Sequence, residues 1–229
     1  MTYYPLISCI MPTRNRRGFV EQAIEFFRTQ DYPRKELIII EDGEPFLCAD
    51  LAQEENTKYL FFPGQLTIGE KRNIACSLAR GNIICQFDDD DYYGSERLSK
   101  QIEPILKDEA DITGLTMDVV YHVPSGVAWW CSPALHQEVF KQDVHTGTLM
   151  YRKEVWGQAK YPHKSIGEDA DFLQVATEQG ARLAKVKNDG VFVYMRHQEE
   201  NIWPLPPHTY PHMHEWVQLP VRRILQAYK

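Results

Sequence analysis

Apolar residues fall into two rhythms along this chain. Short unbroken runs recur in "LISCIM" (6–11), "ELIIIEDG" (36–43), "KYLFFPG" (58–64) and "NIICQF" (82–87), each closed by Pro, Gly or acids. Runs of this length, rich in β-branched residues, predict strands covered on both faces. Between them the spacing turns helical. In "FVEQAIEFFRTQ" (19–30), Val20, Ala23, Ile24 and Phe27 share one face, and Asp31, Tyr32 and Pro33 end the helix. "TIGEKRNIACSLARG" (67–81) predicts a helix stopping at Gly81. "SERLSKQIEPIL" (95–106) predicts another, with Ser95 as N-cap and a kink or break at Pro104. A short helix is expected over Asp50 to Asn56.

Strand and helix alternate to about residue 115, which predicts an α/β fold with a mostly parallel sheet and helices on both faces. The second half is less regular. "ADITGLTMDVVYHV" (110–123) predicts one or two strands, and "TGTLMYRKEVW" (146–156) a strand running into a helix. "GEDADFLQVATEQG" (167–180) is an amphipathic helix with acids in its first turn, and "RLAKVKNDGVFVYMRH" (182–197) two short strands. "VAWWCSPAL" (127–135) follows neither period. A Pro-, Trp- and His-rich tail ends in a helical piece, "PVRRILQAYK" (220–229). With no repeat and no linker, residues 1–229 are expected to form one domain, with 201–229 as its tail.

Composition narrows the classes. Of 229 residues 43% are apolar, enough for a sizeable core. A net charge of −7 gives no reason to expect nucleic acid as a partner. Five cysteines without a CxxC pair argue against zinc or redox motifs and for a reducing compartment. The apolar run near the N-terminus is too short for a signal peptide, and no stretch approaches the roughly 20 residues of a membrane span. A cytoplasmic protein is expected; a peripheral membrane contact stays open.

Three polar clusters each follow a strand: Thr13 to Arg17, Glu41 to Gly43, and Asp88 to Asp91. In parallel α/β sheets ligands bind beyond the carboxyl ends of the strands. Four adjacent aspartates repel one another. A solvated turn is the bland explanation; a hard cation, Mg²⁺ or Mn²⁺, shared with a substrate diphosphate is the functional one. Arg14, Arg16, Arg17, Lys71 and Arg72 supply cations at the same edge. Asp42 is either a turn residue or an acceptor for the N3–H of a uracil or thymine ring. Glu168, Asp169 and Asp171 either complement a helix dipole or include a general base for a sugar hydroxyl. Trp129, Trp130 and Trp203 are candidates for stacking on sugars or for packing. His208, His212 and His214 are too irregularly spaced to favour a metal site over a surface tail.

"ISCIMPTRNRRGFVEQAIEFFRTQDYPRKELIIIEDG" with "IGEKRNIACSLARGNIICQFDDDDYY" resembles glycosyltransferase family 2, inverting enzymes of the GT-A fold. "GTLMYRKEVW…GEDADFL" and "VYMRHQEENIW" resemble its later motifs, so the likeness spans about residues 5 to 203. The resemblance implies a nucleotide-sugar-binding half (1–115) and an acceptor and catalytic half (116–200). It implies that Pro12, Thr13 and Arg14 line the nucleotide pocket and that Asp42 contacts the base. Arg72 would contact uracil or phosphates, and Asp88 and Asp89 would lie by the ribose and donor sugar. Asp90 would be the DxD metal ligand for Mn²⁺ or Mg²⁺, with His197 a second metal or diphosphate ligand and Asp91 left over toward the next helix. Asp169 would be the base, with Glu168 binding the acceptor or holding Asp169 in place. Glu41 stands where the family usually has Asp. A UDP-sugar is the expected donor, with hexosyl or N-acetylhexosaminyl transfer to a glycan, lipid-linked or other hydroxyl acceptor. A homodimer contact is open. The alternatives are a non-catalytic nucleotide-sugar-binding module and a sugar nucleotidyltransferase; "PTRNRRG" is a poor phosphate loop for the latter.

Overall fold

The computed structural model describes residues 4–46, 56–116, 119–131, 136–137 and 140–197, and the backbone of Val217–Leu219. The helix expected at Asp50 to Asn56 and the one in "PVRRILQAYK" lie outside the described residues, Asn56 excepted.

The apolar runs are strands β1 (Ile7–Thr13), β2 (Lys35–Glu41), β3 (Thr57–Phe61) and β4 (Ile83–Gln86). They alternate with helices α1 (Arg17–Arg28), α2 (Ile68–Leu78) and α3 (Arg97–Leu106). The second half adds β5 (Tyr92–Tyr93), β6 (Ile112–Leu115), β7 (Val119–His122), β8 (Val127–Trp130), β9 (His145–Arg152), β10 (Leu183–Val186), β11 (Phe192–Arg196) and β12 (Val217–Leu219). Its helices are α4 (Lys153–Gln158) and α5 (Glu168–Glu178).

Seven strands form the main sheet in the order β10-β6-β9-β4-β1-β2-β3. All pairs are parallel except those of β9, which runs antiparallel between β4 and β6. A second sheet has the order β12-β8-β7-β11-β5. Because side chains alternate across a strand, each apolar run feeds two cores. Ile7, Cys9, Met11, Leu37, Ile39 and Cys85 pack toward α1, α3 and the second sheet. Ile10, Ile38, Ile40 and Ile84 pack toward α2, α4 and α5. Cys9, Cys76, Cys85 and Cys131 are buried free thiols. Among the described residues no helix is long and apolar enough to cross a membrane.

Two local expectations are corrected. Ser95 is not the N-cap of α3: Glu96 takes that position without a side-chain bond. Gln30 at the end of α1 caps the helix instead, its Oε1 accepting from Leu98 N at 3.2 Å. Helix α2 ends at Leu78, with Ala79 extended, so Gly81 is not its stop. A Cβ on Gly81 would sit 2.4 Å from the Leu6 carbonyl oxygen, so this glycine allows β1 and the chain entering β4 to touch. Pro104 lies inside α3, which runs on two residues to Leu106.

Candidate active site

The clusters at the ends of β1 and β4, with the first turn of α5, frame one cavity of about 540 Å³. That is within the range of small-molecule sites.

The four aspartates have four different environments. Asp88 pairs with the Arg72 guanidinium at 2.9 Å. Asp89 accepts from Thr13 Oγ1 at 2.6 Å and from Arg16 NH1 at 3.0 Å. Asp90 meets the same Arg16 nitrogen at 2.9 Å. Asp91 is buried and accepts from Met195 N on β11 at 2.8 Å. It does not face the next helix as a spare residue: the second sheet takes it inside. Burial, then repulsion from Asp90, pushes the Asp89 carboxyl up to about 7, against the pull of Arg16 and Thr13. The same two causes raise Asp91, only partly offset by the Met195 N–H. The run therefore carries fewer than four full charges at neutral pH, which is how like charges share one turn.

Arg72 is the hub on the other side. Its Nε meets Glu168 at 3.1 Å, so one guanidinium joins the aspartate turn to the start of α5. Burial works against its charge, but Asp88 and then Glu168 outweigh it and hold its pKa well up. Glu168 is raised mainly by burial; Arg72 counters this and Asp169 adds to it. Arg16 shows the same balance, burial opposed by Asp89 and Asp90.

Two glycines set the far wall. A Cβ on Gly69 would lie 1.9 Å from the Pro162 carbonyl oxygen, so only glycine lets the 162–166 segment close on α2. The contact is sealed by Gly69 N to Lys164 O at 3.1 Å and Ile68 N to Ser165 Oγ at 3.2 Å. Gly167 has φ 69°, the left-handed turn that launches Glu168 and Asp169 into α5. The start of α2 is itself fixed by a Thr67–Glu70 capping box.

Pro12, Thr13, Arg14, Arg72, Asp88, Asp89, Asp90, Glu168 and Asp169 all line the cavity. Asp42 and His197 are not among its lining residues. Asp42 is buried, accepting from Lys71 Nζ at 2.8 Å and Leu66 N at 2.6 Å, with Arg14 at 3.6 Å. His197 Nε2 lies 2.8 Å from the Asp90 carbonyl oxygen, and its ring is edge-on to Phe19. Glu41 bonds Asn15 N and Gly43 N, joining the loops after β1 and β2. Arg17 pairs on the surface with Glu21, and Asp171 with Lys164. Trp129 and Trp130 belong to the second sheet; Trp203 and His208, His212 and His214 lie outside the described residues.

Lys71, His145, Ser165, Ile166 and Tyr194 also line the cavity. Lys71 and Arg16 stood among the expected cations and Tyr194 within "VYMRHQEENIW"; nothing in the sequence marked His145. Among the described residues no three His, Cys, Asp or Glu side chains gather around a common metal position. Magnesium usually needs only one or two carboxylates beside water and substrate phosphate. Asp90 lines the cavity with its side chain 17% exposed, a carboxylate that would fit such a shell.

The fold is GT-A-like: a mixed α/β sheet flanked by helices, with acids and cations gathered around one cleft at its carboxyl edge. The family model for glycosyl transferase family 2 matches residues 8–149, more than half the chain, and the protein belongs to that family. An uncharacterized glycosyltransferase of Haemophilus influenzae is 31% identical over 114 residues, 48% of this chain and 46% of that protein. The putative teichuronic acid biosynthesis glycosyltransferase TuaG of Bacillus subtilis is 23% identical over 180 residues, 72% of this chain and 69% of its own. The crystal structure of S. aureus TarS 1-349 in complex with UDP-GlcNAc has TM-score 0.70 at 19% identity, over 85% of this chain and 60% of that one. Mannosyltransferase PcManGT from Pyrobaculum calidifontis, in complex with GDP-Man and Mn²⁺, has TM-score 0.66 at 14% identity, over 88% and 59%. The chain thus spans about half to two thirds of the length of these relatives.

Proposed function

We propose that this protein is an inverting glycosyltransferase that moves a sugar from a nucleotide-diphosphate sugar, a UDP-sugar first among them, to an acceptor hydroxyl. The observation that carries this is convergence: nine residues from three separate motifs line one cavity of about 540 Å³. A non-catalytic binding module has no need of Asp169 at that wall.

Residues 1–115 would hold the donor and 116–200 the acceptor. Pro12, Thr13, Arg14 and Lys71 border the nucleotide, with the buried Asp42 holding Lys71 in place. Asp88 and Asp89 face ribose and sugar, and Asp90 would hold a divalent cation, with His197 behind it. Mn²⁺ or Mg²⁺ bound there supplies positive charge for the departing diphosphate. Arg16 and Arg72 add their own fixed charge to the same region, oriented before the reaction begins. Asp169 takes the proton of the acceptor hydroxyl, which attacks the anomeric carbon opposite the nucleotide. Glu168, tied to Arg72, holds Asp169 in position. Enclosing donor and acceptor in one cavity lowers the entropic cost of their meeting. TarS with UDP-GlcNAc and PcManGT with GDP-Man support a nucleotide-sugar donor. The acceptor is a hydroxyl of a glycan, a lipid-linked glycan or another hydroxyl-bearing molecule.

Asp169→Asn should lower turnover by about 10²- to 10⁴-fold, the usual worth of a general base, while UDP affinity persists. Asp90→Ala should remove the Mn²⁺-dependent part of UDP binding in calorimetry. Near-normal turnover in the first variant, or metal-dependent affinity intact in the second, would sink those assignments.

A further inference from the structure

His145 opens β9 and lines the cavity, yet its ring Nδ1 has no hydrogen-bond partner. Only 8% of the residue is exposed, and Nδ1 is sealed from solvent without a partner. Buried polar atoms are almost always paired, and the exceptions gather at functional sites. Packing alone does not account for a histidine here. Its ring lies 4.8 Å from Tyr194, 5.2 Å from Phe192 and 5.8 Å from Phe140, surroundings a phenylalanine would fill with nothing left unpaired. Burial first, then His136 and Arg97, pushes the imidazole down to about 3, so it is neutral at neutral pH. A neutral imidazole offers one donor and one acceptor, which matches a hydroxyl and suits a phosphate poorly.

Topology says which part of a ligand lies there. β9 flanks β4 on the side away from β1 and β2, so His145 is across the aspartate turn from Pro12, Thr13 and Arg14. The lack of a side chain at Gly147 is what gives the ring its room: a Cβ there would sit 3.0 Å from His145 Cε1. The point a Cβ would occupy is 3.2 Å from His145 Nδ1 and 3.7 Å from Asp88 Oδ2. Gly147 thus lets the neutral imidazole and the Asp88 carboxylate stand close together at the cavity wall, a pairing suited to vicinal hydroxyls.

We propose that His145 is a specificity-determining residue that hydrogen-bonds a hydroxyl of the transferred sugar, next to Asp88. This rests on the glycosyltransferase reading above and adds the group that distinguishes one donor sugar from another. The experiment compares wild type, His145→Phe and His145→Gln by calorimetry with UDP and with a set of UDP-hexoses, epimers and deoxy analogues included. UDP affinity should stay within about 2-fold in both variants. His145→Phe should bind the best UDP-hexose 10-fold or more weakly and lose discrimination among epimers; His145→Gln should recover part of both. On wild type alone, one deoxy analogue should lose the same factor, which keeps the test decisive if His145→Phe does not fold. An unchanged sugar preference in His145→Phe, or no deoxy analogue weakened on wild type, overturns the role of His145 and leaves the glycosyltransferase proposal standing. Wild type that binds no nucleotide sugar overturns both.

Discussion

Replacing Arg72 with methionine tests the hub most severely. The substitution keeps an unbranched apolar stem and deletes a guanidinium held 2.9 Å from Asp88 and 3.1 Å from Glu168. Arg72 and Glu168 have side chains only 4% and 6% exposed, so the abandoned glutamate stays buried. Breaking a buried pair by removing one partner costs about 3–5 kcal/mol. Asp88, at 21% exposed, regains some water, and Glu168 escapes part of the penalty by taking a proton. Together these set an expected loss of roughly 2–4 kcal/mol, or a Tm lower by roughly 5–15 °C for a chain of this size. The loss has a pH signature. Glu168 is already raised in wild type, and without Arg72 it rises further. A raised carboxyl binds more protons folded than unfolded, so the variant should lose stability as pH rises from 5 to 8. Thermal denaturation by circular dichroism at both pH values reads this directly. Adding Glu168→Gln should cost little more, a double-mutant coupling of about 1–3 kcal/mol. A Tm within about 2 °C of wild type at both pH values would refute the idea that Arg72 ties the aspartate turn to α5.

Two further tests follow from local geometry. Gly69→Ala places a methyl 1.9 Å from the Pro162 carbonyl oxygen, so the 162–166 segment must lift off α2. Stability should fall by about 1–3 kcal/mol, and turnover should fall as well because Asp169 follows that segment. A variant with wild-type Tm and turnover would show that the close approach is dispensable. His145, held neutral down to about 3, binds fewer protons folded than unfolded between there and its ordinary 6.5. Wild type should therefore lose stability as pH falls below about 6.5, by up to roughly 1.4 kcal/mol per unit, and His145→Phe should be flatter over that range. Parallel acid profiles for the two proteins would contradict a buried neutral imidazole.

Strands β1, β2 and β4 were legible because each is covered on both faces, which leaves an unbroken apolar run in the sequence; β3, a half-buried edge strand, showed as "KYLFFPG" closed by Pro and Gly. The carboxyl-edge clusters were legible for a related reason: a strand that ends in polar residues must deliver them to one rim. What escaped depends on contacts between distant segments. The antiparallel entry of β9 between β4 and β6 has no local signal, and it brings His145 to the cavity. The four aspartates look equivalent in sequence; burial by β11 alone makes Asp91 an anchor. Gln30 caps α3 across 68 residues, so Ser95 was the best local choice and still the wrong one. Gly81 follows a helical run and has the local look of a helix stop, but its role is set by Leu6 on the neighbouring segment. The Thr67–Glu70 box, by contrast, was present in "TIGE" as an S/T-x-x-E signature and marks the start of α2.

The most direct test of the proposed activity is a donor panel: purified protein with UDP- and GDP-sugars and Mn²⁺, followed by release of free nucleoside diphosphate, alongside Asp169→Asn. The expected result is slow release from one class of nucleotide sugar by wild type, accelerated by a hydroxyl acceptor and lost in Asp169→Asn. Release from no donor, with no nucleotide sugar bound in calorimetry, would contradict it.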